Sequence, residues 1–393
     1  MFLPTIPPRN IFLILIILMV VSSGCVSNPS EQTQPAPTRR PGQSNPTRLP
    51  QQSPVPLKTK IALPTRPLSS TLTSEPGTAP SPLPVGLGRQ NPYPRSGVVS
   101  APNWDVQILE VKRGEAAWKD LQSANEFNEA PPEGMEYLLV KLHVKSTYAD
   151  SDEHYISNCD FNVTGDHLIQ YGCGAGADFE PILDATLTSG GAAEGWATYL
   201  IAKNEKKLIL VVNEAFSTDE NPIRYIALDE GASIGISPNV ANIQPTGLGK
   251  MQNDPALRTE KVTTADWEIS VSKVIRGDEA WTMVLDANQY NDPPTEGMEY
   301  LAVLIHVRKI GMIDNAQSMD ASSFRTIGST GIFYDSSSVE TPVPALDISL
   351  YPGGEYEGWV VVTAAKGETG VMLVYKPFLE ENDDNQRFIG LQP

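Results

Sequence analysis

The sequence EGMEYLLVKLHVK at residues 133–145 returns as EGMEYLAVLIHVR at residues 296–308, which is 163 residues later. In both copies an apolar residue occupies every second position, which is typical of a β-strand with one buried face. The residues expected to face the core are Leu138, Val140, Leu142 and Val144 in the first copy and Leu301, Val303, Ile305 and Val307 in the second. Those expected to face outward in the first copy are Tyr137, Lys141, His143 and Lys145.

The tryptophans repeat the same spacing over a much longer stretch. All 6 Trp of the chain fall into pairs that are 163 residues apart: Trp104 with Trp267, Trp118 with Trp281, and Trp196 with Trp359. Such self-similarity at a fixed spacing indicates that one structural unit is used twice. We therefore predict two modules at residues 104–230 and 267–393, joined by an inter-domain linker at residues 231–266.

Strand signals dominate each module, and one helical insert interrupts them. The first module has further strand patterns at residues 104–111, 157–164, 168–173, 182–188, 195–202, 207–213 and 223–228. Short strands with turn residues between them favour an antiparallel sandwich. In the insert, Ala117, Trp118, Leu121 and Ala124 share one helical face, and Ala280, Trp281, Val284 and Ala287 repeat that face. We expect Trp118 and Trp281 to hold each short helix against its sandwich.

Two further motifs lead to a family resemblance. Glu-Gly-Met-Glu-Tyr-Leu opens the long strand at residues 133–138 and 296–301, and a Gly-Gly pair followed by Glu-Gly-Trp lies at residues 190–196 and 353–359. With these motifs each module resembles the telokin-like extracellular family, an immunoglobulin-like domain of unknown function that is common in bacterial lipoproteins. The resemblance implies an all-β fold of two tandem immunoglobulin-like antiparallel β-sandwiches, each with a short helical insert. The helical insert, which the residues themselves indicate, is longer than is usual for the plain family and leaves open a specialised subgroup. The resemblance also implies an envelope role and carries over no catalytic residue.

The N-terminus predicts export. Arg9 precedes an apolar run at residues 11–21, which is too short to span a membrane and ends in Ser22-Ser23-Gly24-Cys25. This ending resembles a bacterial lipobox, although Ser22 stands where an aliphatic residue is usual. We expect a lipoprotein-type signal peptide at residues 1–25, with Cys25 lipidated and the protein anchored to the outer face of the bacterial cell membrane. The alternative is ordinary signal cleavage near the same place.

A Pro-rich segment separates this signal from the modules. Residues 26–100 contain 16 Pro and a single aromatic residue, Tyr93. Because such a composition cannot bury enough apolar surface to offset its ordering entropy, residues 26–103 are predicted to be a disordered linker, or stalk. The formal net charge of the chain is −18, which excludes nucleic acid as a partner since that ligand needs a basic surface.

The two remaining cysteines form a pattern across the repeat. Cys159 and Cys173 of the first module correspond to Ser322 and Ser336 of the second. Cysteines that are present together or absent together indicate a disulfide, and export provides oxidising conditions. A hairpin with the three-residue loop 165–167 would place Cys159 directly opposite Cys173. A metal or redox pair is the alternative, although no His lies at zinc-ligand spacing.

The sequence contains no recognisable catalytic motif. Of the 4 His, only His143 and His306 are equivalent in the repeat, and both fall on the outward face of a predicted strand. We therefore expect no enzyme activity, no catalytic residue, no metal site and no cofactor. Two acidic loops, residues 219–221 and 380–384, could bind calcium, but we favour simple solvated loops because no ligand spacing recurs.

The loop after each helical insert provides the candidate binding residues. They are Asn125, Phe127 and Asn128 in the first module and Asn288, Tyr290 and Asn291 in the second. Amides beside an aromatic ring could contact a glycan or a peptide, but the same amides could instead cap the helix. We expect a non-catalytic binding or adhesion function toward an envelope protein or wall polymer. The alternative is a structural spacer or an assembly subunit of an envelope complex.

Overall fold

The computed structural model describes residues 83–174, 176–177, 179–213, 222–377 and 383–392. These residues all belong to one compact unit. The predicted signal peptide, Cys25 and the stalk up to residue 82 lie outside the described residues.

The first half is an antiparallel sandwich. One sheet has the order β1-β2-β3-β8, the facing sheet has the order β10-β9-β5-β6, and β4 pairs with β7 beside them. The elements are β1 Val98–Ser100, β2 Trp104–Arg113, α1 Glu115–Ala124, β3 Met135–Ser146, β4 His154–Ser157, β5 Phe161–Thr164, β6 Gln170–Tyr171, β7 Asp184–Leu187, β8 Ala192–Ala202, β9 Ile209–Asn213 and β10 Ile223–Ala227.

The second half has the same architecture. Its sheets have the orders β11-β12-β13-β18 and β16-β15-β19-β20, with β14 paired to β17, and a short helix, α2 Pro238–Ala241, precedes them. The elements are β11 Val262–Thr263, β12 Trp267–Arg276, α3 Asp278–Ala287, β13 Met298–Lys309, β14 Gln317–Asp320, β15 Phe324–Ile327, β16 Phe333–Asp335, β17 Asp347–Leu350, β18 Glu355–Ala365, β19 Met372–Tyr375 and β20 Arg387–Gly390. The predicted fold class, an all-β chain with two tandem sandwiches and a short helix in each, is confirmed for the described residues.

The alternating residues of β3 and β13 form the cores as predicted. Leu138, Val140, Leu142 and Val144 are fully buried between the sheets of the first sandwich, and Leu301, Val303, Ile305 and Val307 are buried in the second. The hydrophobic effect therefore fixes which face of the central strand points inward, because a slip by one residue would expose the whole set.

The opposite face of β3 is not solvated throughout, which corrects the expectation for Tyr137. Tyr137 is buried beneath α1, where it packs with Ala117 and Leu121 in a second, smaller core. Trp118 stacks on Tyr137 with a ring-centroid distance of 5.9 Å, and Trp281 contacts Tyr300 at 6.1 Å with the rings tilted. The helix thus covers one end of the strand, so residues of both faces are buried there.

The disulfide joins Cys159 to Cys173, but the register of the hairpin differs from the expected one. β5 pairs with β6 so that Val163 faces Tyr171, which leaves a loop of five residues, 165–169, instead of three. Cys159 lies in a 3-10 turn before β5, and Cys173 follows the end of β6. The buried Glu205 accounts for the longer loop, because its carboxylate accepts a hydrogen bond from the backbone N–H of His167 at 2.8 Å.

Both predicted linkers contain folded segments. Residues 83–103 include β1, and Tyr93 exchanges two backbone hydrogen bonds with β10, from Tyr93 to Tyr225 and from Ala227 to Tyr93, each at 2.8 Å. Residues 231–266 contain α2 and β11, and Ile234 and Val240 are buried there. In both segments, apolar side chains removed from water fix the backbone against the sandwiches.

The two sandwiches contact each other through these segments and through the loop 165–169. Arg89 is fully buried, and its Nε and Nη2 atoms donate to Asp314 Oδ1 at 2.8 and 2.6 Å. Its guanidinium lies 3.8 Å from the ring centre of Tyr351. The N–H of Tyr351 donates to the carbonyl of Leu168 at 2.8 Å. A buried charge is stable only when it is paired in this way, so the pair fixes how the described halves meet.

Candidate functional site

The end of α1 is closed by two asparagines that sequence analysis singled out. The N–H of Asn125 donates to the Leu121 carbonyl at 3.0 Å, and its side-chain oxygen accepts from the N–H of Phe127 at 3.0 Å. The side-chain amide of Asn128 donates to the same Leu121 carbonyl at 2.8 Å. These bonds satisfy groups that a helix end otherwise leaves unpaired.

The end of α3 is built in the same way. The side-chain oxygen of Asn288 accepts from the N–H of Tyr290 at 2.9 Å, and Asn291 donates to the Val284 carbonyl at 2.7 Å. Asn291 also exchanges two hydrogen bonds with the backbone of Glu340, at 2.9 and 2.8 Å. All four asparagines therefore make the helix-capping contacts that were the alternative to ligand binding.

The two aromatic residues of these loops remain in solvent. Phe127 is 84% exposed and Tyr290 is 83% exposed, although the asparagines on either side of them are held by hydrogen bonds. A large ring left in water on a fixed loop has no role in the core, and aromatic rings dominate binding hot spots. Of the six candidate residues, these two present exposed rings to solvent.

A tyrosine beneath each loop fixes its far end. The hydroxyl of Tyr137 donates to the Glu129 carbonyl at 3.0 Å, and that of Tyr300 donates to the Asp292 carbonyl at 3.1 Å. Burial, together with the nearby Glu129 charge, raises the pKa of Tyr137, and burial with Asp292 raises the pKa of Tyr300. Both phenols thus stay protonated and keep donating at neutral pH.

Sequence analysis missed one cluster of titratable groups, at the loop 165–169. Asp166, His167 and Glu205 each place one ligand atom within 4.8 Å of the others, and these residue types can bind zinc. Glu205 is buried, and its carboxylate faces His167 Nδ1 at 2.9 Å and accepts from the Tyr171 hydroxyl. Burial and this carboxylate raise the pKa of Tyr171.

The second sandwich shows what this glutamate does. Glu368 occupies the position of Glu205 and accepts from the N–H and the hydroxyl of Thr330, at 2.9 and 2.6 Å. Ser329 and Thr330 replace Asp166 and His167 in this copy. The second sandwich therefore keeps the glutamate that holds the loop but lacks the aspartate and the histidine that could bind a metal with it. We therefore interpret Glu205 as a support for its loop. The 163-residue spacing between the two glutamates was the signal that could have revealed them.

The repeat-equivalent histidines lie on the outward face of their strands, as predicted. His143 Nδ1 lies 3.4 Å from Glu194, and His306 Nε2 lies 3.5 Å from Glu355. Both side chains are partly exposed, so these are surface pairs across neighbouring strands. Of the acidic loops, residues 219–221 and 380–382 lie outside the described residues, and Asp383 pairs with Lys376 at 2.7 Å.

Comparisons with known proteins leave the family open. In the part of the chain that the structure describes, no helix is both long and apolar enough to cross a membrane. No protein-family model matches the chain, and no curated protein matches it.

Several solved structures align with part of the chain, and those named here come from bacteria. They include a candidate lipoprotein, ycdA, from Bacillus subtilis (16% identity, TM-score 0.27), the yjhA protein from the same organism (12%, 0.25) and an uncharacterised β-sandwich protein from Clostridium difficile 630 (12%, 0.22). These alignments cover 34, 35 and 38% of this chain and 38, 99 and 100% of the respective structures. At such TM-scores they add no argument about fold or function.

Proposed function

We propose that the protein is a lipid-anchored, extracytoplasmic binding protein of the cell envelope, with no catalytic role. In this proposal residues 1–25 are a signal peptide, Cys25 carries the lipid, and the modules 104–230 and 267–393 are two copies of one telokin-like domain. The proposed contact residues are Phe127 and Tyr290, and the proposed partner is a wall polymer.

One observation carries the proposal: each sandwich presents an exposed aromatic ring on a loop whose amides are already bonded. Phe127 and Tyr290 are equivalent in the repeat and nearly equal in exposure. A fixed aromatic provides contact area at low entropic cost, because few torsions are lost on binding. Two such contacts on one compact unit increase the overall affinity through effective concentration, even when each contact is weak.

The test is a pull-down with the soluble exported chain against isolated wall polymer and solubilised envelope protein. We expect saturable capture of the polymer, weaker for Phe127→Ala or Tyr290→Ala and lost for the double variant. Met312→Ala is a matched control, since Met312 is also an exposed apolar residue but lies outside both loops. Polymer capture that the double variant retains would contradict the assignment of these two residues.

A structural spacer or assembly subunit is the second candidate, and one feature favours it. Ile332 and Phe333 are exposed at the β15–β16 hairpin, whereas the equivalent hairpin of the first sandwich contacts the second sandwich. An unpaired apolar tip is typical of a protein contact. Stoichiometric capture of one envelope protein that depends on Ile332, with no polymer retained, would support this candidate over the first.

A further inference from the structure

A cleft of about 630 Å³ lies between the two sandwiches. Its first-sandwich wall includes Met135 of β3, Leu200 and Ala202 of β8, and the segment around Cys173, while Ile348 and Tyr356 come from the second sandwich. This volume lies within the usual range for sites that bind small molecules.

The lining of the cleft selects against charged ligands. No Asp, Glu, Lys, Arg or His is among its described lining residues. Two of its polar side chains are already engaged, because Gln170 accepts from the Tyr351 hydroxyl at 3.1 Å and Tyr171 donates to Glu205. A charged group would lose its hydration there without a partner, whereas an apolar group would leave water favourably.

In the described part of the second sandwich, the equivalent segment lies against the central sheet instead. Ser336 forms a β-bridge with Val362 of β18, and the N–H of Ser337 donates to the Val361 carbonyl at 3.0 Å. In the first sandwich, Cys173 and Gly174 have no bridge or backbone hydrogen bond to β8 among the described residues. The disulfide instead holds Cys173 beside Cys159, with a Cα–Cα distance of 5.0 Å.

The open space lies on opposite sides of the segment after the hairpin in the two sandwiches. In the second sandwich a polar pocket of about 230 Å³ opens beside Ser322, the counterpart of Cys159, and is also lined by Asp335 and Lys376. The segment after the hairpin therefore has two arrangements: it lies against the 3-10 turn when the disulfide is present and against the central sheet when serines replace it. The first arrangement leaves room along β8.

We propose that the cleft between the sandwiches binds an uncharged apolar small molecule, and that the Cys159–Cys173 disulfide keeps it open. This site is separate from Phe127 and Tyr290 and does not depend on the proposed function. The ligand class follows from the lining, and the dependence on the disulfide follows from the difference between the two sandwiches.

The first test uses the neutral fluorophore N-phenyl-1-naphthylamine as the probe and dodecanol as the competitor. We expect saturable fluorescence enhancement with the soluble chain, reversed by dodecanol. Ala202→Trp fills the cleft and should weaken probe binding about tenfold or more, which corresponds to about 1.4 kcal/mol. Ala365→Trp, at the equivalent position of the second sandwich, should bind the probe like the unchanged protein. Equal binding by both variants, or no binding by the unchanged protein, would overturn the proposal.

The second test removes the disulfide by Cys159→Ser with Cys173→Ser, which copies the residues of the second sandwich. We expect a folded protein, checked by circular dichroism, whose probe affinity falls as far as that of Ala202→Trp. A folded double variant with undiminished binding would show that the disulfide does not control the cleft. Ala202→Trp remains informative if this variant fails to fold.

Discussion

The two sandwiches share strand order and register, yet they differ at the hairpin between their fifth and sixth strands. In the first sandwich, the loop 165–169 contacts the second sandwich and leads into a disulfide. In the second, the equivalent loop 328–332 carries the exposed Ile332, and serines replace both cysteines. One fold therefore supports a structural contact in one copy and leaves the same hairpin free in the other.

The backbone at the tip of this loop shows the same contrast. Leu168 has φ 62°, which is unfavourable for a residue with a side chain, while the equivalent Gly331 has φ 72°. The Leu168 side chain packs against the cluster that contains Tyr351 and Ile209. Strain at such a position persists only where surrounding contacts maintain it, and here those contacts include Tyr351 of the other sandwich.

The largest effect is expected from the buried ion pair between the sandwiches. Arg89→Ala should reduce the free energy of unfolding by about 3 to 5 kcal/mol, because Asp314 would lose its partner in a largely buried site. Urea denaturation measures this, and it also shows whether unfolding separates into two transitions. Lys376→Ala breaks the exposed pair with Asp383 and should change stability far less than Arg89→Ala, because water screens that pair. Equal effects of the two variants would contradict the importance of the contact.

The disulfide should have the next largest effect. Replacing Cys159 and Cys173 by serine should destabilise the protein by about 3 kcal/mol in the chain-entropy model, because the bond closes a loop of about 15 residues. Ser322→Ala with Ser336→Ala, at the equivalent positions, is the control and should have little effect. Thermal unfolding compares the pairs, and identical transition temperatures would mean that the bond adds nothing to the first sandwich.

A smaller effect is expected at the tip of the free loop. Gly331→Ala should cost roughly 1 kcal/mol, since φ is positive there and no atom lies within 4 Å of the added Cβ. The cost would therefore come from the backbone alone. Gly235→Ala meets open space as well, but without a positive φ, and should change stability by less than about 0.5 kcal/mol. Chemical denaturation of both variants should separate these contributions.

The smallest effect concerns acid stability of the second sandwich. Burial of Glu368 opposes its charge, but hydrogen bonds from Thr330 and Ala365 and the Arg276 charge outweigh it and hold the pKa of Glu368 below its usual value. Its stabilising contribution is therefore complete above the unfolded pKa of about 4.5 and is lost as pH falls through the lower folded value. Glu368→Gln should flatten the loss of stability between about pH 5 and about pH 3, measured by denaturation midpoints. An unchanged slope would contradict this linkage.

Periodicity was sufficient to predict the long strands, since Leu138, Val140 and their neighbours alternate over many residues. Periodicity did not predict the burial of Tyr137, because the helix α1 covers that face of the strand. The hairpin register was missed because Glu205, 38 residues beyond His167, sets the loop length. The ion pair of Arg89 could not be predicted, because Arg89 lies in a Pro-rich segment and its partner Asp314 is 225 residues away. Local patterns were therefore enough to predict the strands, whereas the contacts between them depend on residues that are far apart in the sequence.

The candidate binding site was predictable in part. The 163-residue repeat pointed to the loops after α1 and α3, and the structure separates their residues into bonded asparagines and exposed rings. The cleft could not be predicted, because it depends on which side of the hairpin the segment after β6 occupies. The Cys and Ser difference was visible in the sequence, but its consequence for β8 required the backbone.

The central claim is that this single difference gives the two sandwiches different backbones after the hairpin. A crystal structure of the soluble chain with Cys159→Ser and Cys173→Ser tests it most directly. The account predicts that the N–H of Gly174 donates to the Thr198 carbonyl, as Ser337 does to Val361, and that the cleft along β8 closes. An unchanged path of residues 172–174 with an open cleft would contradict it.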